Sequence, residues 1–135
     1  ITFNRINMYL IVFLIIIIII LQFSINSPDN SIISHIYDDL ITIHPKSKSL
    51  HISEGNQSFT INKKKIKLCI KDRNGTTYNH NTLLYVAIHE LAHVLCDENH
   101  HTLKFNKINL LLLKRATDLG LYNPDIKPPI DYCKT

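Results

Sequence analysis

Residues 9–21 are thirteen apolar residues without a break, most of them isoleucine. Extended over residues 8–25, with one Gln and one Ser, the run approaches the ~20 residues that cross a bilayer as a helix. It has no polar face to show to water, and its β-branched residues suit a soluble helix poorly. The pattern predicts a single-pass anchor over residues 9–25. A cleaved signal, which would release a secreted domain, is the alternative, and Ser24-Ile25-Asn26 lacks the small-residue pattern it needs. After the polar linker Ser27-Pro28-Asp29-Asn30 the period becomes helical: Ile33, Ile36, Tyr37 and Leu40 share one face, predicting a helix over about 30–43 that Pro45 stops. Alternation follows in Leu50-His51-Ile52, in Phe59 and Ile61, and in Ile66, Leu68 and Ile70. Turns are predicted at Glu54-Gly55-Asn56 and Asn74-Gly75. The helical period returns through Leu83-Leu84-Tyr85-Val86-Ala87-Ile88, with Asn81 as the expected cap and an end near residues 97–99. A last helix opens at His101, carries Phe105, Ile108, Leu111, Leu112 and Ala116 at helical spacing, and stops at Gly120 before Pro124. The reading is α+β: an N-terminal hydrophobic segment (1–26), then one domain (27–135) of helix, small antiparallel sheet and two helices.

The apolar helix contains His89-Glu90-Leu91-Ala92-His93. Residues i and i+4 share a helix face, so both imidazoles can meet one metal ion. Glu90 lies about 100° further round, beside a metal-bound water rather than in the coordination shell. Zinc brings that water's pKa towards neutrality, and a carboxylate can take its proton as it attacks a carbonyl. Two histidines and a glutamate in a buried helix would each cost several kcal/mol if left unpaired, at rough transfer scales. A metal ion removes that cost. A third ligand is required, and His100 and His101 are the nearest candidates. The polar run Cys96-Asp97-Glu98-Asn99 suits the turn that would return them. Phe105, four residues after His101, falls on the same face and would pack beneath the site. Asp118, the oxygen-ligand alternative, lies near the far end of that helix, about 25 Å away.

HELAH, a gap of seven residues, then His-Thr-x-x-Phe resembles the small zincins of the WLM and SprT-like kind. It is most similar to the short membrane-anchored metallopeptidases of large DNA viruses. The resemblance covers roughly residues 58–133. It implies a minimal zincin fold, Zn2+ as cofactor, His89, His93 and His101 as its ligands, and Glu90 as general base. Where such proteins commonly carry Gly before the third ligand, this chain carries His100. Metzincin spacing is absent, since Cys96 and Asn99 occupy its Gly and His positions, and no Glu follows Glu98 to serve as a gluzincin ligand.

Charge changes the picture little. Lys and Arg number 15 against 11 Asp and Glu. The cluster Lys63-Lys64-Lys65 with Lys67 reads as a solvated strand edge rather than a nucleic-acid surface, since aromatic interleaving is missing. Arg5 before the apolar run and Asp29 after it put the N-terminus in the cytosol by positive-inside reasoning. Asn56-Gln57-Ser58 and Asn74-Gly75-Thr76 are glycosylation sequons if the domain enters the secretory lumen. Met8 is a candidate initiator, because the chain opens on Ile1. Three cysteines make neither a disulfide framework nor a zinc ribbon. Cys96 reads as a core thiol, and a Cys69–Cys133 bridge stays open. His35, His44, His51 and His80 read as structural or exposed. Tyr122 and Tyr132 are candidate oxyanion donors or core-edge tyrosines. The expected function is zinc-dependent hydrolysis of a protein or peptide substrate by a membrane-tethered endopeptidase. The alternatives are an inactive, zinc-stabilised assembly protein and a DNA-associated protease of the same kind.

Overall fold

The computed structural model describes residues 5–25 and 28–134. The chain divides into two compact units, one through Ser31 and one from Ile32. In the first, helix α1 (Arg5–Ile25) includes a stretch, Arg5–Ser24, long and apolar enough to cross a membrane, none of it buried. At 1.5 Å per residue that stretch is about 30 Å long, the thickness of a bilayer's hydrocarbon core. A signal sequence near the N-terminus would meet the same test.

The remaining elements are α2 (Pro28–Ile43), a 3-10 turn (Pro45–Ser49), β1 (His51–Glu54), β2 (Phe59–Ile61), β3 (Lys65–Leu68), α3 (His80–Leu95) and α4 (Leu103–Asp118). The helical stripe of α2 behaves as its spacing requires: Ile36, Leu40 and Ile43 are buried. They join Ile52, Ile66 and Leu68 of the sheet and Leu84, Ala87, Ile88 and Leu91 of α3 in one continuous core. Pro45 ends α2 because it cannot donate the next helical hydrogen bond. His44 caps the 3-10 turn that follows, its Nδ1 accepting from Lys46 N at 3.1 Å.

The sheet is mixed, not antiparallel. Its order is β1-β3-β2, with β1 parallel to β3 and β2 antiparallel to β3. Alternation reveals which residues face the core and is silent on whether a turn reverses the chain beside its last strand or carries it across. Gly55 carries it across. Its amide donates to Leu68 O at 3.0 Å, and a Cβ there would lie 3.2 Å from Lys67 Cβ. The true hairpin is β2–β3, where Asn62 and Lys63 both have positive φ, 49° and 54°. Two left-handed central residues match the strand twist in such turns. Because β3 is central, Lys65 and Lys67 guard no edge; β2 is an edge strand.

Two helix starts differ from the expected ones. Asn79, not Asn81, caps α3, its Oδ1 accepting from Thr82 N at 2.8 Å. Asn81 instead holds the C-terminal segment, donating to Asn123 O and Ile126 O at 3.0 Å each. Thr102, not His101, caps α4. Leu111 is 69% exposed although its spacing suggested the core, while Phe105, Leu112 and Ala116 are buried. Gly120 ends α4 as expected, at φ 73°. Its amide reaches Thr117 O and that of Leu121 reaches Ala116 O, both at 3.0 Å, the bonding of a Schellman cap.

Candidate metal centre

Helix α3 runs through the core, and its apolar sides fix its rotation. Leu83, Leu84, Ala87, Ile88, Leu91 and Ala92 are each at most 1% exposed. His89 and His93 are thereby held on the one face that opens to solvent. The chain leaves α3 at Cys96 and returns through a short polar turn to the cap of α4. Thr102 Oγ1 accepts from Phe105 N at 3.3 Å, so α4 starts one residue after Thr102 and His101 stands immediately before the cap. Phe105, 1% exposed, is the floor of the site. Its ring lies 5.0 Å from His89, 4.3 Å from His93 and 4.9 Å from His101, between centroids.

The three imidazoles converge. His101 Nε2 is 3.0 Å from His89 Nε2 and 3.1 Å from His93 Nε2. One neutral ring nitrogen is either donor or acceptor, and His101 Nε2 faces two others. A cation meets all three lone pairs at once. A tetrahedral ion with metal–nitrogen bonds of about 2.0–2.1 Å sets its ligand atoms about 3.3 Å apart, close to these separations. The three histidines lie close enough together to bind a metal ion, and their donor chemistry fits one. His100, next in sequence, lines the cavity with its backbone at φ 68° and stands outside the cluster. Asp118 is far from it, bound to Lys114 Nζ at 2.6 Å.

Burial keeps the lone pairs free. Desolvation, with repulsion from His93 and His101, lowers the His89 pKa to about 4. Desolvation also lowers that of His93, helped by His101 and Lys63. Glu90 responds in the opposite sense. Its carboxyl pKa is raised by burial, while the Thr60 hydrogen bond and His101 pull it down. Thr60 Oγ1 sits 2.7 Å from Glu90 Oε2 and 3.1 Å from Glu90 O, linking the edge strand to the turn of α3 between the histidines.

A cavity of about 530 Å³ opens over these groups. Phe59, Thr60 and Lys63 of the β2–β3 hairpin line it, as do Glu98, Asn99 and His100 between α3 and α4. The segment between α3 and α4 is tied where it leaves α3: Lys104 pairs with Asp97 at 2.5 Å, and Lys63 donates to Cys96 O. Thr60 and Lys63 carried no signal in the sequence as site residues, because a Thr in a strand and a Lys in a turn are ordinary. Tyr122 and Tyr132 do not line this cavity. Tyr132 Oη donates to Cys69 O at 2.5 Å and lies 2.8 Å from Ser58 Oγ, which makes it a brace. Cys69 and Cys133 form a disulfide, their Cα atoms 6.3 Å apart, and Cys96 is a buried free thiol.

The chain is 50% identical over 88 residues to uncharacterized protein 136R of Invertebrate iridescent virus 6, covering 62% of this chain and 49% of that protein. It is 47% identical over 87 residues to uncharacterized protein 042R of Invertebrate iridescent virus 3, covering 63% and 54%. It is 44% identical over 80 residues to uncharacterized protein R325 of Acanthamoeba polyphaga mimivirus, covering 56% and 41%. The chain therefore spans about half the length of the curated relatives it matches. No protein-family model and no solved structure matches it.

Proposed function

We propose that this protein is a zinc-dependent endopeptidase, tethered to a membrane by α1 with its N-terminus in the cytosol. One observation carries the reading: three convergent imidazole nitrogens beside a buried carboxylate, under an open cavity. Structural zinc sites are closed by four protein ligands, whereas three ligands leave a position for water and substrate. Zinc suits a three-imidazole set and needs no redox partner. When bound, the ion supplies a Lewis acid that acidifies water and polarises a carbonyl.

The chain's own groups do the rest. His89, His93 and His101 would hold the ion, and Phe105 fixes their rings. Glu90 would accept a proton from the attacking water as its oxygen bonds to the carbonyl carbon. As the C–N bond breaks, Glu90 would pass that proton to the leaving amine, giving a carboxylic acid and an amine, and the acid's own proton then passes to the amine, leaving a carboxylate and an ammonium group. Its raised pKa suits a group that must both take and return a proton. Edge strand β2 borders the cavity, so an extended peptide can lie along it through main-chain hydrogen bonds. Retention of Glu90 favours turnover over a purely structural ion, since metal binding alone needs no such carboxylate.

The test is hydrolysis of a quenched fluorescent peptide mixture by the full chain in detergent. Turnover should require stoichiometric zinc, vanish with a chelator and return on adding zinc. Zinc-loaded protein that leaves every peptide intact would refute the peptidase reading and leave a metal-stabilised binding protein.

A further inference from the structure

The chain has two ways of making a left-handed backbone. At Gly75 and Gly120 it uses glycine, with φ 77° and 73°, where an added Cβ would meet nothing within 4 Å. Left-handed backbone is disfavoured for a residue with a Cβ, and glycine escapes that cost. Asn62 and Lys63 adopt it because the β2–β3 hairpin requires two such residues. His100 adopts it, at φ 68°, in a five-residue loop where glycine would serve the backbone better. Cys133, at φ 47°, adopts it at the disulfide, whereas His100 adopts it beside the converging histidines, and non-glycine residues in this region cluster at functional sites.

Its surroundings show no structural use for the ring. His100 is exposed and, among the described residues, makes no hydrogen bond, ion pair or ring contact. His101 beside it packs on three rings. His100 lines the same cavity as Glu90 and the three converging histidines, together with Phe59 and Thr60 of β2. The loop that presents it is held by the Asp97–Lys104 pair and by Lys63 on Cys96 O. A peptide lying along β2 would share this cavity with the ring.

We propose that His100 is a catalytic residue that touches the substrate, donating a ring N–H to a carbonyl oxygen of the peptide in the cleft. This rests on the peptidase reading above. The role differs from that of the ligands: it needs the ring at the wall and not at the metal.

The experiment uses the full chain with His100→Gly and His100→Asn, two residues at ease in left-handed backbone. Zinc content, melting temperature, kcat/KM for a fluorogenic peptide, and affinity for a peptidyl hydroxamate and for acetohydroxamate are measured. His100→Gly should keep one zinc and melt higher than wild type, because strain is relieved. It should nonetheless lose about tenfold in kcat/KM, the order expected for losing one hydrogen bond to the substrate. Peptidyl hydroxamate should bind correspondingly more weakly, with acetohydroxamate, which lacks the peptide, unchanged. His100→Asn, whose shorter amide falls short of the peptide, should show the same kinetic loss. A higher melting temperature with wild-type kinetics and hydroxamate affinity would overturn the proposal and leave His100 a tolerated turn residue. Loss of zinc in both variants would overturn it too, by making His100 a ligand. A wild-type chain that binds zinc and cleaves nothing would instead refute the peptidase reading itself.

Discussion

At the residue scale the site is a competition between metal and protons for three imidazoles. Alanine at His101 should lose most of the zinc affinity, because its Nε2 bridges both other nitrogens at 3.0 and 3.1 Å. Alanine at His100 or Asp118 should change affinity little. Competitive titration with a chromophoric chelator measures this, and a large loss at Asp118 would refute the three-histidine set. Proton competition has a sign that can be checked without metal. His89 titrates near 4 when folded, against an ordinary 6.5, so below 6.5 the unfolded chain binds more protons. The stability tied to its neutral ring is present above pH 6.5 and lost as pH falls towards 4. Metal-free protein should melt lower at pH 5 than at pH 7, and a His89→Asn variant should show a smaller drop. Equal drops would mean that His89 does not contribute. The histidines, Glu90 and Phe105 were legible in the chain because helical periodicity places i and i+4 together. Thr60 and Lys63 were not, because they reach the site across the sheet, and contacts between distant segments leave no local pattern.

At the scale of elements, the apolar run and the periodicity after it located the four α-helices and three strands, missed the 3-10 turn after α2, and erred on how elements begin and join. Asn79 and Asn81 are both good capping residues, and only the geometry of the entering chain decides between them. A capping side chain is worth about 1 kcal/mol, too little to override the packing of α3. The mixed sheet was hidden for a similar reason: Gly55 reads as a hairpin turn but serves a crossing over β3. Leu111 shows the limit of spacing alone, since no element covers that side of α4 among the described residues. Gly120 is the position where backbone chemistry decides the element. Nothing would crowd a Cβ there, so Gly120→Ala should cost only the left-handed conformation, about 1 kcal/mol. Chemical denaturation should show that loss with zinc content unchanged. A cost near zero would mean that the cap relaxes to another conformation.

At the scale of the molecule, the disulfide and the brace around it fasten the C-terminal segment to the sheet that carries Thr60. Ser58 Oγ accepts from Cys69 N at 2.9 Å and meets Tyr132 Oη, so the tail, β3 and the entry to β2 share one network. The bridge spans 64 residues of chain, and closing a loop of that length stabilises by about 4 kcal/mol in the chain-entropy model. Cys133→Ser, or reduction of the wild type, should lower the melting temperature by many degrees; identical melting in both redox states would show the bridge to be dispensable. The pairing could not be read from three unpatterned cysteines, since it depends on where the tail returns. The central claim joins all three scales: a metal held by α3 and α4, and Glu90 moving protons beside it. Glu90→Gln keeps the shape of the side chain and removes its capacity to take a proton. Peptide hydrolysis by the zinc-loaded full chain, wild type against Glu90→Gln, is the most direct measurement. The expected result is turnover by the wild type, a fall of about a hundredfold or more in the variant, and one zinc bound in both. Equal turnover by the two proteins at equal zinc content would contradict it.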